Sequence, residues 1–461
     1  MSETHLHRGR QTVKLGLIKV VHDLFPEETL KTSYSILEGV FCNLYGSILS
    51  TREVKQIELK LREWVERNSG IEMLRIEGGY YHYQVGDIVV KAVYPAFTDT
   101  SLVEPFTILP FSYGFIVDFG DIDKGSKRPL IPPVQLSQVF EKNQIWMDNI
   151  NIELVKDVND YIRSGRTMKL VSIAEALHEK EISIIADAIL QHRRALRLLL
   201  VSGPSSSGKT SFAQRLSTQL EVNGLKPIAL SLDHYFVDRE HTPRDADGKY
   251  DFDSMEALDL PLLKQQIEQL IEGERVSVPQ FDFVTGKRLA ENKPMQVGPS
   301  EILIIEGIHA LNPELVTNIN RNLIYKIYIS ALGGLNIDLM SRVPTSEIRL
   351  LRRLVRDDKY RGVMPENTIH QWDSVRRGEY QNIFKFQEEA DVMFNSSMLY
   401  EMNALRPFAE TALQKIPADS PYYDTRERLL NLLSFFEPLD VSKVPFNSIL
   451  REFIGGSIYY D

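Results

Sequence analysis

The chain has 461 residues, more than a single hydrophobic core normally organises, so its length predicts two or three domains. Its residues are 43% hydrophobic and 25% charged, which are ordinary globular values, and the absence of an apolar run long enough to cross a bilayer predicts a soluble protein. The formal net charge of −10 argues against a general nucleic-acid binder. The single cysteine, Cys42, excludes an intrachain disulfide and a cysteine-rich zinc site; we expect a small buried side chain, with a reactive thiol as the alternative.

The first part of the chain mixes helical and strand patterns. Its N-terminus lacks the apolar core of a secretory signal, so we expect a cytoplasmic location. Apolar periodicity predicts helices at residues 11–25 and 52–67, whereas residues 79–95 are rich in aromatic and β-branched side chains and predict strands. Glycine, proline and charge concentrate in residues 121–135, which predicts a loop near the end of this part. Residues 1–165 are therefore expected to form a small α+β domain.

The pattern changes in the second part, residues 166–461. A capping box of Ser172 and Glu175 predicts the start of a long helix, which leads into a strand at residues 198–201. Further apolar runs then alternate with helical segments, and they lie at residues 228–232, 302–305 and 324–329. Such runs are typical of strands buried on both faces of a parallel sheet. The predicted fold class is α/β, a parallel sheet flanked by helices, with ligands beyond the carboxyl ends of its strands.

A phosphate-binding pattern follows the first of these strands. Residues 203–210 read GPSSSGKT, a full match to GxxxxGK[ST], and an amphipathic helix continues from them. Its glycines let backbone N–H groups converge on an anion, so that Lys209 can reach the β- and γ-phosphates and the Thr210 hydroxyl a magnesium ion. The alternative is a chance glycine-rich turn, but the motif, the strand before it and the helix after it all favour a phosphate-binding loop. The predicted ATP ligands here are Gly203, Ser205, Ser206, Ser207, Gly208, Lys209, Thr210 and Ser211.

An acidic residue follows each of two later strands of the predicted sheet. Asp233 comes after the run 228–232, and Glu306 comes after the run 302–305. At the carboxyl end of a sheet a carboxylate can accept the proton of an attacking hydroxyl or hold magnesium beside the phosphates. We expect Asp233 to be the base with a share in metal binding, and Glu306 to be the acid on the metal side. For either residue taken singly, a helix cap or a surface salt bridge is the alternative.

Two polar segments are candidates for contact with a phosphate acceptor. Residues 238–253 predict an ordered loop, in which Asp253 is suited to accept hydrogen bonds from two adjacent hydroxyls. A simple turn carboxylate explains Asp253 equally well on spacing alone. In residues 278–288, Phe281 and Phe283 stand among polar residues and are suited to stack on a flat ring. Two aromatic residues at this spacing are also typical of one face of a strand that packs on the core.

The densest positive cluster lies in residues 341–362. Its arginines share one side of a predicted helix, because they are spaced i, i+3, i+4 and i+7. These arginines are Arg349, Arg352, Arg353 and Arg356. Such a face costs mutual repulsion unless an anion relieves it, so we expect a lid helix that closes over the phosphates of ATP and excludes water. A solvated face paired with Asp357 and Asp358 is the alternative.

These motifs, in this order, resemble those of the phosphoribulokinase/uridine kinase family of P-loop kinases. The matching segments lie within residues 200–395 and read GPSSSGKT, SLDHYF, YDFDSMEALD, PQFDFVTGKR, IIEGIHALNP, RLLRRLVRD with YRG, and EEADVMFN. Residues 396–461, with NSSMLYEMNAL and SILREFIGGS, are similar to a uridine kinase-like subfamily and would form a C-terminal extension of the kinase domain. In that subfamily the kinase follows a domain similar to the second additional domain of threonyl-tRNA synthetase. Residues 14–67 resemble a reduced form of it, and we expect no ubiquitin-like TGS domain.

The resemblance implies roles for individual residues. Asp233 would be the catalytic base and Lys209 the phosphate-side cation, while Thr210 and Glu306 would lie on the magnesium side. The remaining implied contacts are those of Asp253 and Arg349 with a ribose, of Tyr235 and Phe281 with the acceptor, and of Arg352 and Arg356 with ATP.

Two departures limit what the resemblance implies. Uridine kinases carry a tyrosine where Phe281 stands and a histidine where Gly286 stands, and both contact the pyrimidine, so specificity for uridine is not implied. The synthetase-like domain ordinarily carries an HxxxH metal pair. The matching stretch here retains only His22, so editing of mischarged tRNA is not expected.

Two functions from different classes follow from these observations. The first is an ATP- and Mg²⁺-dependent phosphotransferase that moves the γ-phosphoryl group to a hydroxyl of a uridine- or cytidine-like nucleoside, or of a related sugar or polyol. The alternative is an ATP-hydrolysing regulator whose N-terminal domain binds tRNA or a protein partner. We favour the first, because a base such as Asp233 beside an acceptor loop serves hydroxyl transfer. We expect a small-molecule acceptor, no membrane and no nucleic acid, and leave open whether the chain forms a homo-oligomer.

Overall fold

The structure is a computed structural model that describes residues 3–36, 39–68, 70–120, 133–245, 248 and 250–459. The predicted loop at 121–135 lies outside these residues apart from its end at 133–135. The chain divides into two compact units. Unit 1 contains Met1–Arg166, Gly333–Ile348 and Leu413–Leu439, and unit 2 contains Thr167–Leu332, Arg349–Ala412 and Asp440–Asp461. The limits of the domains expected from the sequence, 1–165 and 166–461, stay a prediction.

The helices and strands of the described residues are numbered in chain order. The helices are α1 (Glu3–Leu24), α2 (Thr51–Glu66), α3 (Val134–Asn149), α4 (Val155–Arg163), α5 (Thr167–Gln191), α6 (Lys209–Val222), α7 (Leu260–Glu272), α8 (Thr345–Arg356), α9 (Pro365–Asn382), α10 (Glu401–Leu413), α11 (Tyr423–Ser434) and α12 (Arg451–Ile454). The strands are β1 (Leu30–Ile36), β2 (Gly39–Leu44), β3 (Ile71–Glu77), β4 (Tyr80–Val85), β5 (Ile88–Ala92), β6 (Thr107–Phe111), β7 (Gly114–Asp118), β8 (Leu198–Ser202), β9 (Lys226–Ser231), β10 (Val276–Val278), β11 (Phe281–Asp282), β12 (Lys287–Arg288), β13 (Lys293–Met295), β14 (Glu301–Glu306), β15 (Ile324–Ser330), β16 (Asn336–Asp338), β17 (Ser341–Arg342) and β18 (Val392–Asn395). A π-helical turn at Asp357–Arg361 continues α8.

Unit 1 combines helices with antiparallel sheets. One sheet has the strand order β1-β2-β7-β6 and another has the order β3-β4-β5. Helix α2 begins after a capping box, in which the Ser50 hydroxyl accepts from the N–H of Glu53 and the Glu53 carboxylate accepts from that of Ser50. The helices predicted at 11–25 and 52–67 and the strands predicted at 79–95 are confirmed.

Helices α1 and α2 share an apolar core with strands of both sheets. Cys42 on β2 lies in this core with 1% of its surface exposed. Burial raises the pKa of its thiol to about 12. The expectation of a small buried side chain is therefore confirmed, since a thiol that is neither exposed nor ionised is a poor nucleophile.

Unit 2 is built on a five-stranded parallel sheet in the order β18-β15-β8-β14-β9. Strand β8 is buried along its whole length because helices flank the sheet. The four predicted strands and the α/β fold class are confirmed. Strands β8, β14 and β9 are neighbours, so their carboxyl ends open at one edge of the sheet. Within the described residues, no helix is both long and apolar enough to cross a membrane.

The predicted capping box at Ser172 and Glu175 is wrong. Helix α5 starts at Thr167, so Ser172 lies in its second turn. Glu175 instead accepts a hydrogen bond from the Tyr400 hydroxyl at 2.6 Å and lies 3.5 Å from the guanidinium of Arg215. The spacing of serine and glutamate is only a local signal. Here Leu170 and Val171, in the turn before Ser172, are buried, and the helix already begins at Thr167.

Candidate active site

The phosphate-binding loop, residues 203–208, runs from the end of β8 to the start of α6. A Cβ at Gly203 would lie 2.2 Å from the carbonyl oxygen of Ile329, so only glycine fits there. Gly208 is the N-cap of α6 and has φ +83°, in the left-handed region that favours glycine. The loop therefore directs the first N–H groups of α6, which have no partner within the helix, to the point where an anion binds.

Lys209 is the first residue of α6, and its side chain folds back over the loop. Its Nζ donates a hydrogen bond to the carbonyl oxygen of Pro204 at 3.0 Å. Burial lowers the pKa of the Lys209 ammonium, and the charges of Glu306, Asp233 and Glu452 oppose this shift. The ammonium is thus held near these carboxylates in a desolvated site, where it attracts a phosphate more strongly than it would in water.

Asp233 and Glu306 come together at the sheet edge through Ser231. The Ser231 hydroxyl donates to Glu306 Oε1 at 2.6 Å and accepts from the N–H of Asp233 at 3.4 Å. Burial and the charge of Asp233 raise the pKa of Glu306 to about 7, while Ser231 and Lys209 oppose the shift. A divalent cation relieves such repulsion between carboxylates, so the chemistry of the Asp233 and Glu306 oxygens fits Mg²⁺. The Thr210 hydroxyl as a further ligand stays a prediction.

Helices α8 and α9 hold the loop through Ser205. Glu379 on α9 is fully buried, forms an ion pair with Arg349 and accepts a hydrogen bond from the N–H of Ser205 at 3.0 Å. Arg349 Nε donates to the Ser205 carbonyl at 2.9 Å. Arg353 donates to the Ser205 hydroxyl at 3.1 Å. These contacts fix the loop from both its N–H and its carbonyl side.

Asp253 lies beside the same ion pair. Its Cβ would be 2.4 Å from a Cβ at Gly378, so α9 packs directly on it. Burial and the charge of Glu379 raise the pKa of Asp253 to about 7, while Arg353 and Arg349 oppose the shift. A carboxyl group that changes charge near neutral pH, set next to the loop, can either accept or donate hydrogen bonds to a hydroxylated ligand.

The pKa of Asp253 predicts a pH-dependent effect of Asp253→Asn on stability. The folded-state pKa of about 7 lies above the ordinary 3.8, so the stability linked to this carboxyl is complete below pH 3.8 and is lost as the pH rises through 7. Asparagine has no such dependence. We therefore expect the free energy of unfolding of Asp253→Asn, relative to the parent, to rise by about 3 kcal/mol between about pH 5 and about pH 8.

Urea unfolding of both proteins at the two pH values measures this difference. Glu291→Gln, which removes an exposed carboxyl group of the same unit, is the matched control and should follow the parent. If Asp253→Asn kept a constant offset from the parent at both pH values, the raised pKa would be wrong.

The structure corrects the reasoning behind the expected arginine lid. Arg352 is fully buried, pairs with Glu401 and donates to the carbonyl of Ser206 at 3.2 Å. Arg356 pairs with Asp357 at 2.8 Å. Carboxylates of the protein thus neutralise these arginines, and their mutual repulsion does not require ATP. Contacts of Arg352 and Arg356 with ATP stay a prediction.

The aromatic residues of the acceptor segments have different environments. Tyr235 is fully buried and its hydroxyl donates to Gln266 at 2.7 Å. Its contact with an acceptor stays a prediction. The ring centroid of Phe281 lies 5.7 Å from that of Phe236 and 5.3 Å from that of Phe283. Phe283 is 41% exposed, which leaves this cluster an open side where a flat ring could stack.

Sequence reasoning missed three charged residues of this site. Arg361 places its guanidinium 5.1 Å from the ring centroid of Phe283, and the segment YRG that contains it was part of the resemblance. Glu379 and Glu452 gave no signal, because each is a single acid on a helix with no recognisable spacing to the loop. Their contacts with Ser205 and Ser211 span 174 and 241 residues of sequence.

Comparison with known proteins finds a related family. Residues 198–400 match the family model of the phosphoribulokinase/uridine kinase family. A uridine kinase from Staphylococcus carnosus is 32% identical over 183 residues, which cover 40% of this chain and 78% of that protein. A uridine kinase from Lactobacillus helveticus is 30% identical over 172 residues, which cover 37% of this chain and 72% of that protein. A solved structure of a possible uridine kinase from Bacillus stearothermophilus is 20% identical, with a TM-score of 0.32, and the match covers 47% of this chain and 98% of that chain.

Proposed function

The chain belongs to the phosphoribulokinase/uridine kinase family, and we propose that it transfers the γ-phosphoryl group of ATP to a hydroxyl of a nucleoside or of a related sugar or polyol. The observation that carries this proposal is the meeting of Asp233 and Glu306 at the sheet edge where Lys209 lies. A phosphate loop alone explains nucleotide binding. A carboxylate at the adjoining strand end adds the base that transfer to a hydroxyl uses.

The nucleotide side of the proposed site is supplied by the loop and α6. Loop N–H groups and Lys209 would hold the phosphates, and Thr210, Glu306 and Asp233 would hold Mg²⁺. Bound magnesium neutralises charge on the β- and γ-phosphates. The ion pair of Arg349 with Glu379 would assist phosphate binding, because its hydrogen bonds to Ser205 hold the loop backbone in one conformation before the nucleotide binds.

The proposed base is Asp233. As a carboxylate it would accept a hydrogen bond from the acceptor hydroxyl, and it would take the proton as the oxygen bonds to the γ-phosphorus and ADP leaves. Glu306 is less suited to this step, because its Oε1 already accepts a hydrogen bond from Ser231 at 2.6 Å. Glu306 would thus act on the metal side alone, and Asp233 would be the base with a share in metal binding.

The proposed acceptor carries adjacent hydroxyls and, in the nucleoside case, a flat ring. Asp253 and Arg349 would contact the hydroxyls, and Phe281 would stack on the ring. At Gly286 a Cβ would come within 2.6 Å of Arg239 Nε, and the φ of +68° favours glycine. A histidine there would be strained by this φ and would require the exposed Arg239 side chain to move, and its absence supports a wider acceptor class than uridine.

An acceptor panel tests the proposal. ADP release from ATP and magnesium is measured with nucleosides, ribose derivatives and inositols, each paired with an analogue that lacks the adjacent hydroxyls. We expect at least one compound to raise ADP release ~10-fold or more above the acceptor-free rate, and its analogue not to do so. Release that stays equal across the panel would favour the ATP-hydrolysing regulator instead.

A further inference from the structure

A short C-terminal segment of unit 2 lies against the phosphate-binding loop. We call residues 448–459 the strap; it contains α12 and lies beyond residues 198–400 of the family match. Most of its apolar side chains are buried, among them Leu450 and Phe453 with 0% exposure, whereas Ile458 is exposed. The Arg451 guanidinium donates to the carbonyls of Val441 and Gly455 at 2.9 and 3.0 Å and ties the strap together. The strap is therefore an ordered part of unit 2.

The strap places one carboxylate on the first turn of α6. Glu452 Oε2 accepts a hydrogen bond from the Ser211 hydroxyl at 2.8 Å and from its N–H at 3.3 Å. The charge of Glu452 also reaches Lys209 and Glu306, since it acts on the pKa of both groups. An anionic side chain of the protein thus lies where the loop and α6 collect positive potential.

The Glu452 carboxylate and a nucleotide phosphate are both anions, so they would compete for the same donors, the N–H and hydroxyl of Ser211. The N–H groups of the first helical turn have no partner within α6, and they are the groups that bind a phosphate in such loops. Two anions cannot share the N–H and hydroxyl of Ser211 without strong repulsion in a desolvated site. Bound ATP whose phosphate reaches Ser211 must therefore displace Glu452.

Other strap contacts connect this carboxylate to both sides of the site. A Cβ at Gly208 would lie 2.6 Å from Ile449 Cγ2, so the strap packs directly on the loop. Lys359, on the turn that continues α8, donates to the carbonyl of Ile454 at 2.5 Å. The guanidinium of Arg352 lies 5.0 Å from the ring centroid of Phe453. Displacement of the strap would therefore change the packing of both the phosphate-binding loop and α8.

We propose that the strap is an autoinhibitory latch, in which Glu452 occupies phosphate-binding donors of the loop helix and is displaced when ATP binds. This inference rests on the proposed function, because it requires ATP as the ligand of the loop. In the latched state the carboxylate lowers the affinity for ATP. Release of the strap exposes the Ser211 donors and removes a negative charge from the vicinity of Lys209.

Glu452→Gln tests the latch by equilibrium binding of ATP with magnesium, measured by calorimetry. The amide keeps the size of the side chain and removes its charge, so ATP should bind about tenfold more tightly than to the parent. Glu221→Gln, which removes an exposed carboxylate about 15 Å farther along α6, is the matched control and should leave the affinity unchanged. Unchanged or weaker binding of ATP to Glu452→Gln would overturn the latch.

A second measurement uses the parent protein alone. Hydrogen exchange of residues 448–459 is compared with and without ATP and magnesium, and we expect ATP to speed exchange in the strap. Slower exchange with ATP would overturn the latch, since the strap would then close on the nucleotide. Transfer to an acceptor without these effects would remove the latch and leave the proposed function intact. The latch effects without transfer to any acceptor would remove the proposed function alone.

Discussion

Lys209→Ala should lower phosphoryl-transfer turnover by about 10²–10⁴-fold while the protein stays folded. The ammonium would act on the phosphates, where negative charge shifts during transfer, and alanine provides no substitute. Stability should change little, because Lys209 donates to a single backbone carbonyl and burial lowers its pKa, which means that its charge is a net cost to the folded state. The substitution therefore separates chemistry from packing.

Turnover with the best acceptor and the urea unfolding midpoint measure the two effects. Lys226→Ala, which removes an exposed lysine at the start of β9, is the matched control and should keep both values. Near-normal turnover of Lys209→Ala with any acceptor would refute the assignment of the phosphate-binding loop.

Asp233→Asn should keep ATP affinity within a few-fold of the parent and lower turnover by about 10²–10⁴-fold, the usual range for a positioned general base. Asparagine has nearly the size of aspartate and still accepts a hydrogen bond, but it cannot take the proton of the acceptor hydroxyl. The N–H of residue 233 would still reach the Ser231 hydroxyl, so the local turn should survive. The loss should therefore lie in kcat rather than in nucleotide binding.

Single-turnover rates and ATP titrations of Asp233→Asn distinguish the two expected roles of Asp233, general base and metal ligand. Equal losses in turnover and in ATP affinity would make Asp233 mainly a metal ligand. If neither changed, another residue would be the base. Ser231→Ala is a useful companion, since it removes the hydroxyl between the two acids without removing either carboxylate.

The residues at the carboxyl edge of the parallel sheet could be predicted because the sequence signals that place them are local. Parallel strands appear as short apolar runs, and the carboxyl ends of neighbouring strands must open at one edge, so Asp233 and Glu306 could be brought together without any knowledge of side-chain contacts. The loop motif is local in the same way. Fold class and strand positions were therefore predictable to within a residue or two.

What the sequence could not predict depends on burial and on long-range pairing. The prediction that the clustered arginines lie on one helix was correct. The partners of Arg349 and Arg352, however, are Glu379 and Glu401, which lie 30 and 49 residues farther along the chain. Without them the cluster indicated an external anion. Likewise, nothing local distinguishes Glu452 from other helical acids, and the raised pKa of Asp253 arises from packing against α9.

The most direct test of the central claim is the destination of the γ-phosphoryl group. ATP labelled in that group is incubated with magnesium and the acceptor panel, and products are separated and identified by mass. We expect the label on a hydroxyl of one acceptor class, with ADP formed in equal amount, and its loss in Asp233→Asn. Label recovered only as inorganic phosphate, at a rate that no acceptor changes, would contradict the assignment of this chain as a kinase.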